Sequence, residues 1–126
     1  MCMVKEILPD MRTLIIEDDQ PTAQLLTFML EDMGMEVCGS EATESGAISA
    51  ATKCHPELMI VDINLRVGTG TGAVNEILSH GYIPHIFVSA DLSQLKDSHP
   101  DAIMLSKPYV YVQMVDAIQR AVVARN

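Results

Sequence analysis

Leu14-Ile15-Ile16-Glu17-Asp18-Asp19 and Met59-Ile60-Val61-Asp62-Ile63-Asn64-Leu65 share one plan: large apolar side chains in succession, then acid. Successive side chains of a strand point to opposite faces, so apolar residues at consecutive positions mark a strand covered on both sides, as in a parallel sheet flanked by helices. Similar short runs recur along the chain, and strands are expected over Arg12 to Glu17, Met35 to Ser40, Glu57 to Asp62, Pro84 to Ser89 and Asp101 to Ser106. Between them apolar residues return at helical spacing: Leu26, Met29, Leu30 and Met33; Ala47, Ile48 and Ala51; Val74, Ile77 and Leu78; Tyr111, Val115, Ile118 and Val122. The helical pattern is faintest over Asp91 to His99. Pro21 falls at a helix start, Gly34 and Gly81 near helix ends, and Pro84 and Pro108 break the pattern between elements. Five such units predict an α/β sandwich, a doubly wound five-stranded parallel sheet with five helices.

The acids that close the first run need an answer. Two unit charges about 4 Å apart repel by roughly 4 kcal/mol at an effective dielectric near 20. A proton, a basic side chain or a metal ion has to relieve that cost.

The chain has 126 residues, the usual size of one domain. It is expected to be a single domain over 1–126, with a core over about 12–123 and an N-terminal extension over 1–11. Hydrophobic residues make up 48% of it, yet no run approaches the roughly 18 to 20 residues of a membrane span. The start, MCMVKEILPDM, lacks the basic end and long apolar core of a signal peptide, so a soluble protein of the cytoplasm is expected. Cys2, Cys38 and Cys54 are an odd number without a C-x-x-C pair. That predicts neither a disulfide framework nor a zinc site, but reduced thiols. With 8 basic and 17 acidic residues the net charge is −9, and the basic ones are scattered. No basic stripe and few rings are offered to a nucleic acid.

In a sheet of this kind ligands bind at the carboxyl ends of the strands, near the point where strand order reverses. Strand one ends there in Glu17-Asp18-Asp19, strand three in Asp62-Ile63-Asn64, strand four in Ser89-Ala90-Asp91 and strand five in Ser106-Lys107-Pro108. Each residue taken singly also suits an ordinary role: Asp19 as a helix cap, Asp62 at a turn, Ser89 bonded to its own backbone, Lys107 as a surface charge. Acids, a hydroxyl and a lysine at the ends of four strands of one sheet form a constellation.

The residues LIIEDD (14–19), MIVDINL (59–65), IFVSAD (86–91) and SKPY (106–109), in this order and spacing, resemble a response-regulator receiver domain, a stand-alone CheY-like module. The resemblance covers Arg12 to about Val123. DINL, a Gly-rich loop, IPHIFVSA and IMLSKPY are most similar to receivers of bacterial general-stress regulators and their single-domain relatives. The resemblance implies a flavodoxin-like fold with strand order 2-1-3-4-5. It also implies a phosphoacceptor in a two-component phosphorelay, a signalling protein rather than a classical enzyme.

What the resemblance implies for the site answers the acid cluster with Mg²⁺. Asp18 and Asp62 would be its carboxylate ligands, the backbone carbonyl of Asn64 a third, and Glu17 the holder of a metal-bound water. Magnesium takes octahedral oxygen coordination and keeps several waters, which suits so few direct ligands. Asp62 would accept a phosphoryl group from the phosphohistidine of a sensor histidine kinase or histidine phosphotransfer protein. Ser89 would bond one phosphoryl oxygen and Lys107 neutralise another. Asn64 and Asp91, two past the acceptor and two past the hydroxyl residue, would tune dephosphorylation. A downstream protein would dock on the face made by the fourth helix, fifth strand and fifth helix. Output would come from docking or from a phosphate shuttle or sink role.

Met104 departs from the family pattern, because receivers commonly carry an aromatic ring three positions before the lysine. A methionine is flexible and has no ring to turn between two positions. A receiver-like interaction module with little phosphorylation-driven switching is therefore the alternative. Gly68-Thr69-Gly70-Thr71-Gly72-Ala73 fits G-x-G-x-x-A, but five residues separate it from Asp62, where a nucleotide loop should follow its strand at once. A phosphohydrolase of the haloacid-dehalogenase pattern would need an acid where Asn64 stands. His55, His80, His85 and His99 lack metal-ligand spacing.

Overall fold

The computed structural model describes residues 10–124, without the side chains of Gln94 and Ala124. The expected N-terminal extension, with Cys2, falls largely outside the described residues. Five strands, β1 (Arg12–Ile16), β2 (Glu36–Glu41), β3 (Leu58–Asp62), β4 (His85–Ser89) and β5 (Met104–Ser106), alternate with α1 (Gln20–Asp32), α2 (Glu44–Cys54), α3 (Gly70–Leu78), α4 (Ser93–Ser98) and α5 (Tyr111–Ala124). The sheet is parallel throughout, in the order β2-β1-β3-β4-β5. The doubly wound fold expected from the sequence is the fold observed.

Two cores lie on the two sides of the sheet, and the strands divide their residues between them. Ile15, Ile60, Ile86 and Val88 pack with Leu26 and Leu30 of α1 and Met114 and Ile118 of α5. Leu14, Ile16, Met59, Val61 and Phe87 pack on the other side with Ala47, Val74, Ile77 and Leu95. Adjacent residues of β1 and β3 thus serve opposite cores, which is why these strands read as unbroken apolar runs. Every residue of β3 is buried, the terminal Asp62 included.

Three helices start on side-chain caps that satisfy otherwise unpaired backbone donors. Asp19 accepts from Thr22 N, Thr43 from Gly46 N and Thr69 from Gly72 N. Some strand limits differ from the sequence expectation. β5 begins at Met104 rather than Asp101, because the chain is still turning after His99, where Ala102 N bonds His99 O. β2 runs one residue further, to Glu41, whose carbonyl takes Glu17 N at 2.9 Å.

The expectation of reduced thiols is corrected. Cys38 on β2 and Cys54 at the end of α2 are joined as a disulfide, with Cα atoms 6.0 Å apart and a sequence separation of 16. The α2 helix returns the chain antiparallel to β2, so two cysteines with no spacing motif become neighbours. No described helix is long and apolar enough to cross a membrane.

Candidate functional site

The carboxyl ends of β1, β3, β4 and β5 carry the site. Glu17 follows β1 and is 5% exposed; Asp62 ends β3 at 8% and Ser89 ends β4 at 1%. Buried polar groups need partners, and all three have them. Lys107, just past β5, places Nζ 3.0 Å from Glu17 Oε1 and 3.0 Å from Asp62 Oδ2. The Glu17 carboxylate also accepts from Asp19 N at 3.1 Å. Asn64 N donates to Asp62 Oδ1 at 3.0 Å, and the Asn64 side-chain amide donates to Ser89 Oγ at 3.2 Å. One lysine, one amide and one hydroxyl thereby connect the ends of four strands.

Glu17, Asp18 and Asp62 each offer a carboxylate oxygen within 4.8 Å of the other two. Three hard oxygen donors beside a backbone-rich loop fit a small divalent cation that keeps part of its water shell. Burial pushes the Glu17 carboxyl above its ordinary range, opposed by the bonds from Asp19 N and Lys107. Burial pulls Lys107 down, but its hydrogen bonds and charge contacts with Asp62 and Glu17 outweigh it and leave the ammonium harder to deprotonate than usual. The repulsion among the acids is thus relieved here by a basic side chain.

The trio is not uniform. Asp19 turns away to cap α1, and its bonds with Thr22 hold it below the usual carboxylate range. Asp18 faces the loop after β3, accepting from Arg66 N at 2.8 Å with the Arg66 guanidinium 3.7 Å away. Asp91 lies at the exposed rim. Its Oδ1 accepts from Ser93 N and Oγ, which lowers its pKa, while its own N–H donates to Ser89 Oγ at 3.2 Å. Met104 is half-buried opposite Phe87 in the β4–β5 pairing, on the α3–α4 side of the sheet.

Sequence reasoning missed Glu44 and Arg66. The Gly68–Gly72 loop folds around the Glu44 carboxylate, which accepts from Thr69 N at 2.8 Å, and a Cβ at Gly72 would come within 2.7 Å of it. A Cβ at Gly70 would stand 2.0 Å from the Asp62 carbonyl oxygen. The glycines let this loop close on Asp62 and on an acid of α2, so the loop that resembles a nucleotide fingerprint already holds an anion. No motif spacing links Glu44 or Arg66 to Asp62. Only the register of α2 against the loop brings Glu44 in.

A buried carboxylate bonded to lysine, with acids on one side and a hydroxyl on the other, at the carboxyl edge of a 2-1-3-4-5 sheet, defines the receiver class of doubly wound α/β proteins. The response regulator receiver domain model matches residues 13–119, and the chain belongs to that family of two-component signalling domains. It is 32% identical over 123 residues to the phyllosphere-induced regulator PhyR of Methylorubrum extorquens, an alignment covering 93% of this chain and 46% of that protein. The anti-anti-sigma factor PhyR from Bartonella quintana superposes with a TM-score of 0.86 at 27% identity, over 96% of this chain and 51% of that one. The receiver domain of Erythrobacter litoralis PhyR superposes with a TM-score of 0.83 at 27% identity, covering 90% and 91% of the two chains. The chain therefore spans about half the length of full PhyR relatives and nearly all of an isolated PhyR receiver. Receiver domains generally bind Mg²⁺ in an acidic pocket, and this chain has an acidic cluster of Glu17, Asp18 and Asp62 at the corresponding edge of its sheet.

Proposed function

We propose that this receiver accepts a phosphoryl group on Asp62 from the phosphohistidine of a sensor kinase or a histidine phosphotransfer protein. The observation that carries the reading is the 3.0 Å bond between Lys107 Nζ and Asp62 Oδ2 inside the acid cluster. Glu17 shares this lysine, but Asp62 is the acid that ends the central strand β3 and is linked through Asn64 to the Ser89 hydroxyl. Asp62 attacks phosphorus through a carboxylate oxygen, the donor imidazole leaves, and an aspartyl phosphate remains. Ser89 Oγ, which accepts from Asn64 Nδ2 and Asp91 N, donates its hydrogen to one phosphoryl oxygen, and Lys107 follows the negative charge as it moves outward. Asp18, Asp62 and the Asn64 carbonyl would hold Mg²⁺, with Glu17 acting through a water; bound there, the ion would supply charge neutralisation for the carboxylates and phosphate.

The donor approaches over a surface hollow of about 490 Å³ between α1 and the Lys107–Tyr109 turn. Leu25 and Phe28 on α1 and Val110 beside the turn stand exposed near it, a surface suited to an apolar helix carrying the histidine. The phosphorylated domain then signals by docking through α4, β5 and the start of α5, or passes its phosphate on as a shuttle or sink. The kinship with PhyR supports a protein partner of the sigma-factor control kind. Met104 favours a second reading: β5 has no ring at that position to reorient, and the domain binds its partner with only modest dependence on phosphorylation.

The test is mass spectrometry after treatment with acetyl phosphate and Mg²⁺. The native chain should gain one phosphoryl group and Asp62→Asn none. Full labelling of the variant would dismiss Asp62 as the acceptor.

A further inference from the structure

We infer that Cys38 and Cys54 form a thiol–disulfide exchange site for low-molecular-weight disulfides of the glutathione class, and that its oxidised form fastens the edge strand β2 to α2. Their Cα separation of 6.0 Å lies within the range a disulfide spans without moving backbone. Both residues are half-buried rather than sealed in the core. They line a surface hollow of about 280 Å³ together with Gly39, Glu41, Gly46 and Lys53, so a small disulfide can reach either sulfur.

The charges around the pair are mixed: Lys53 and Glu41 both line the hollow, and Arg12 is itself paired with Glu57 at 3.6 Å. The carbonyls at the end of α2, which would otherwise disfavour an anion, are occupied by the Arg12 guanidinium: Nε lies 3.3 Å from Cys54 O and Nη2 lies 2.7 Å from His55 O. Positive charge beside a cysteine lowers the cost of its thiolate form.

Exchange proceeds in two balanced steps. One cysteine thiolate attacks the small disulfide, forming a mixed disulfide and releasing one small thiolate. The second cysteine, as its thiolate, then displaces the other small thiolate and closes Cys38–Cys54. The protein loses two electrons and two protons, and the small disulfide becomes two thiols. Reduction by excess small thiol reverses both steps.

The pair also occupies a consequential place. The β1–β2 register passes from Thr13↔Val37 to Leu14↔Gly39, leaving Cys38 without a partner residue on β1. Among the described residues β2 is an edge strand, with no ladder on its other side. The segment closed by the disulfide contains Glu41, Thr43 and Glu44, which touch Glu17 N, Gly46 N and Thr69 N respectively. Closing it into a ring restricts the openings available to a strand weakened by its bulge.

The experiment uses the full chain carrying Cys2→Ser, so that only the two cysteines in question remain. After reduction and desalting, incubation with glutathione disulfide should give a product two hydrogens lighter, with no glutathione retained and one linked peptide pair containing Cys38 and Cys54. Cys2→Ser/Cys38→Ser should instead retain a single glutathione on Cys54. Should that variant fail to fold, peptide mapping of the first chain decides alone. Stable adducts on both cysteines, or two thiols left free, would overturn the exchange site. Hydrogen exchange tests the fastening: residues 36–54 should exchange several-fold faster when reduced, while 58–62 stay unchanged. Equal rates in both redox states would remove that part. None of these readouts uses Asp62, so their failure is separate from any failure of the phosphoacceptor reading.

Discussion

Lys107 Nζ and Asp62 Oδ2 lie 3.0 Å apart although 45 positions separate the two residues in the chain. The same ammonium reaches Glu17 at 3.0 Å, across 90 positions. A single lysine therefore shares its one positive charge between two buried acids from different strands, and its removal should leave both without that partner. Lys107→Met is expected to cost ~1–3 kcal/mol of stability, the penalty of buried polar groups left unpaired. Added Mg²⁺ should recover more stability in this variant than in the native chain. Urea melts with and without the ion measure both effects.

Alkaline pH should weaken the same region. Lys107 has a raised pKa from its partners against the pull of burial, and Tyr109 beside it has one from burial. The folded state therefore keeps these protons at pH values where the unfolded chain, with ordinary values near 10.5 and 10.0, has begun to lose them. Their contribution is complete below those values and is lost as pH rises through the folded ones. Thermal melts between pH 9 and about 11 should show the decline, and Tyr109→Phe and Lys107→Met should each flatten it.

Within the acidic trio the two aspartates should separate cleanly. Asp18→Asn is expected to lose most Mg²⁺ affinity, since it removes an anionic donor from the cluster. Asp19→Asn should retain the affinity and nearly all of the stability, because asparagine caps a helix about as well as aspartate. Asp19→Ala should be the less stable of the two, having lost the cap. Calorimetric titration with Mg²⁺ and chemical denaturation read the two properties, and equal Mg²⁺ losses in Asp18→Asn and Asp19→Asn would refute this division.

Gly70 and Gly72 should differ in tolerance. A Cβ at Gly70 meets the Asp62 carbonyl oxygen at 2.0 Å, where only backbone movement can make room. Gly70→Ala is expected to cost ~1–3 kcal/mol as an overpacking change and to reduce phosphorylation. At Gly72 the obstacle is the Glu44 carboxylate, a side chain that can swing aside, so Gly72→Ala should cost less. Urea denaturation of both variants gives the comparison.

Phosphate lifetime should depend on Asn64 and Asp91. Both are exposed and small, leaving water a path to phosphorus. Ser93 already occupies Asp91 Oδ1, so orientation of that water falls to the second oxygen. Asn64→Lys and Asp91→Tyr should slow loss of the aspartyl phosphate at fixed Mg²⁺. Unchanged or faster loss in both variants, followed by mass spectrometry, would show that these positions do not gate water.

The sequence by itself determined the layered fold, because Leu14 to Ile16 and Leu58 to Val61 are apolar at every position and have to be covered on two faces. It also brought Glu17, Asp18, Asp62, Ser89 and Lys107 to one edge, since parallel strands all end on the same side. Asp19 as the cap of α1 was legible for the same local reason: capping depends on residues three apart. What the tertiary structure alone decided depends on separations of tens of residues and on register. Lys107 rather than a proton bridges the acids, Glu44 fills the glycine loop, Arg66 N binds Asp18, and Cys38 meets Cys54. Apart from the lysine, which its motif had already brought to the acids, none of these pairs has a periodic or motif signature, because each is fixed by how one element lies against another and not by the order of residues within either.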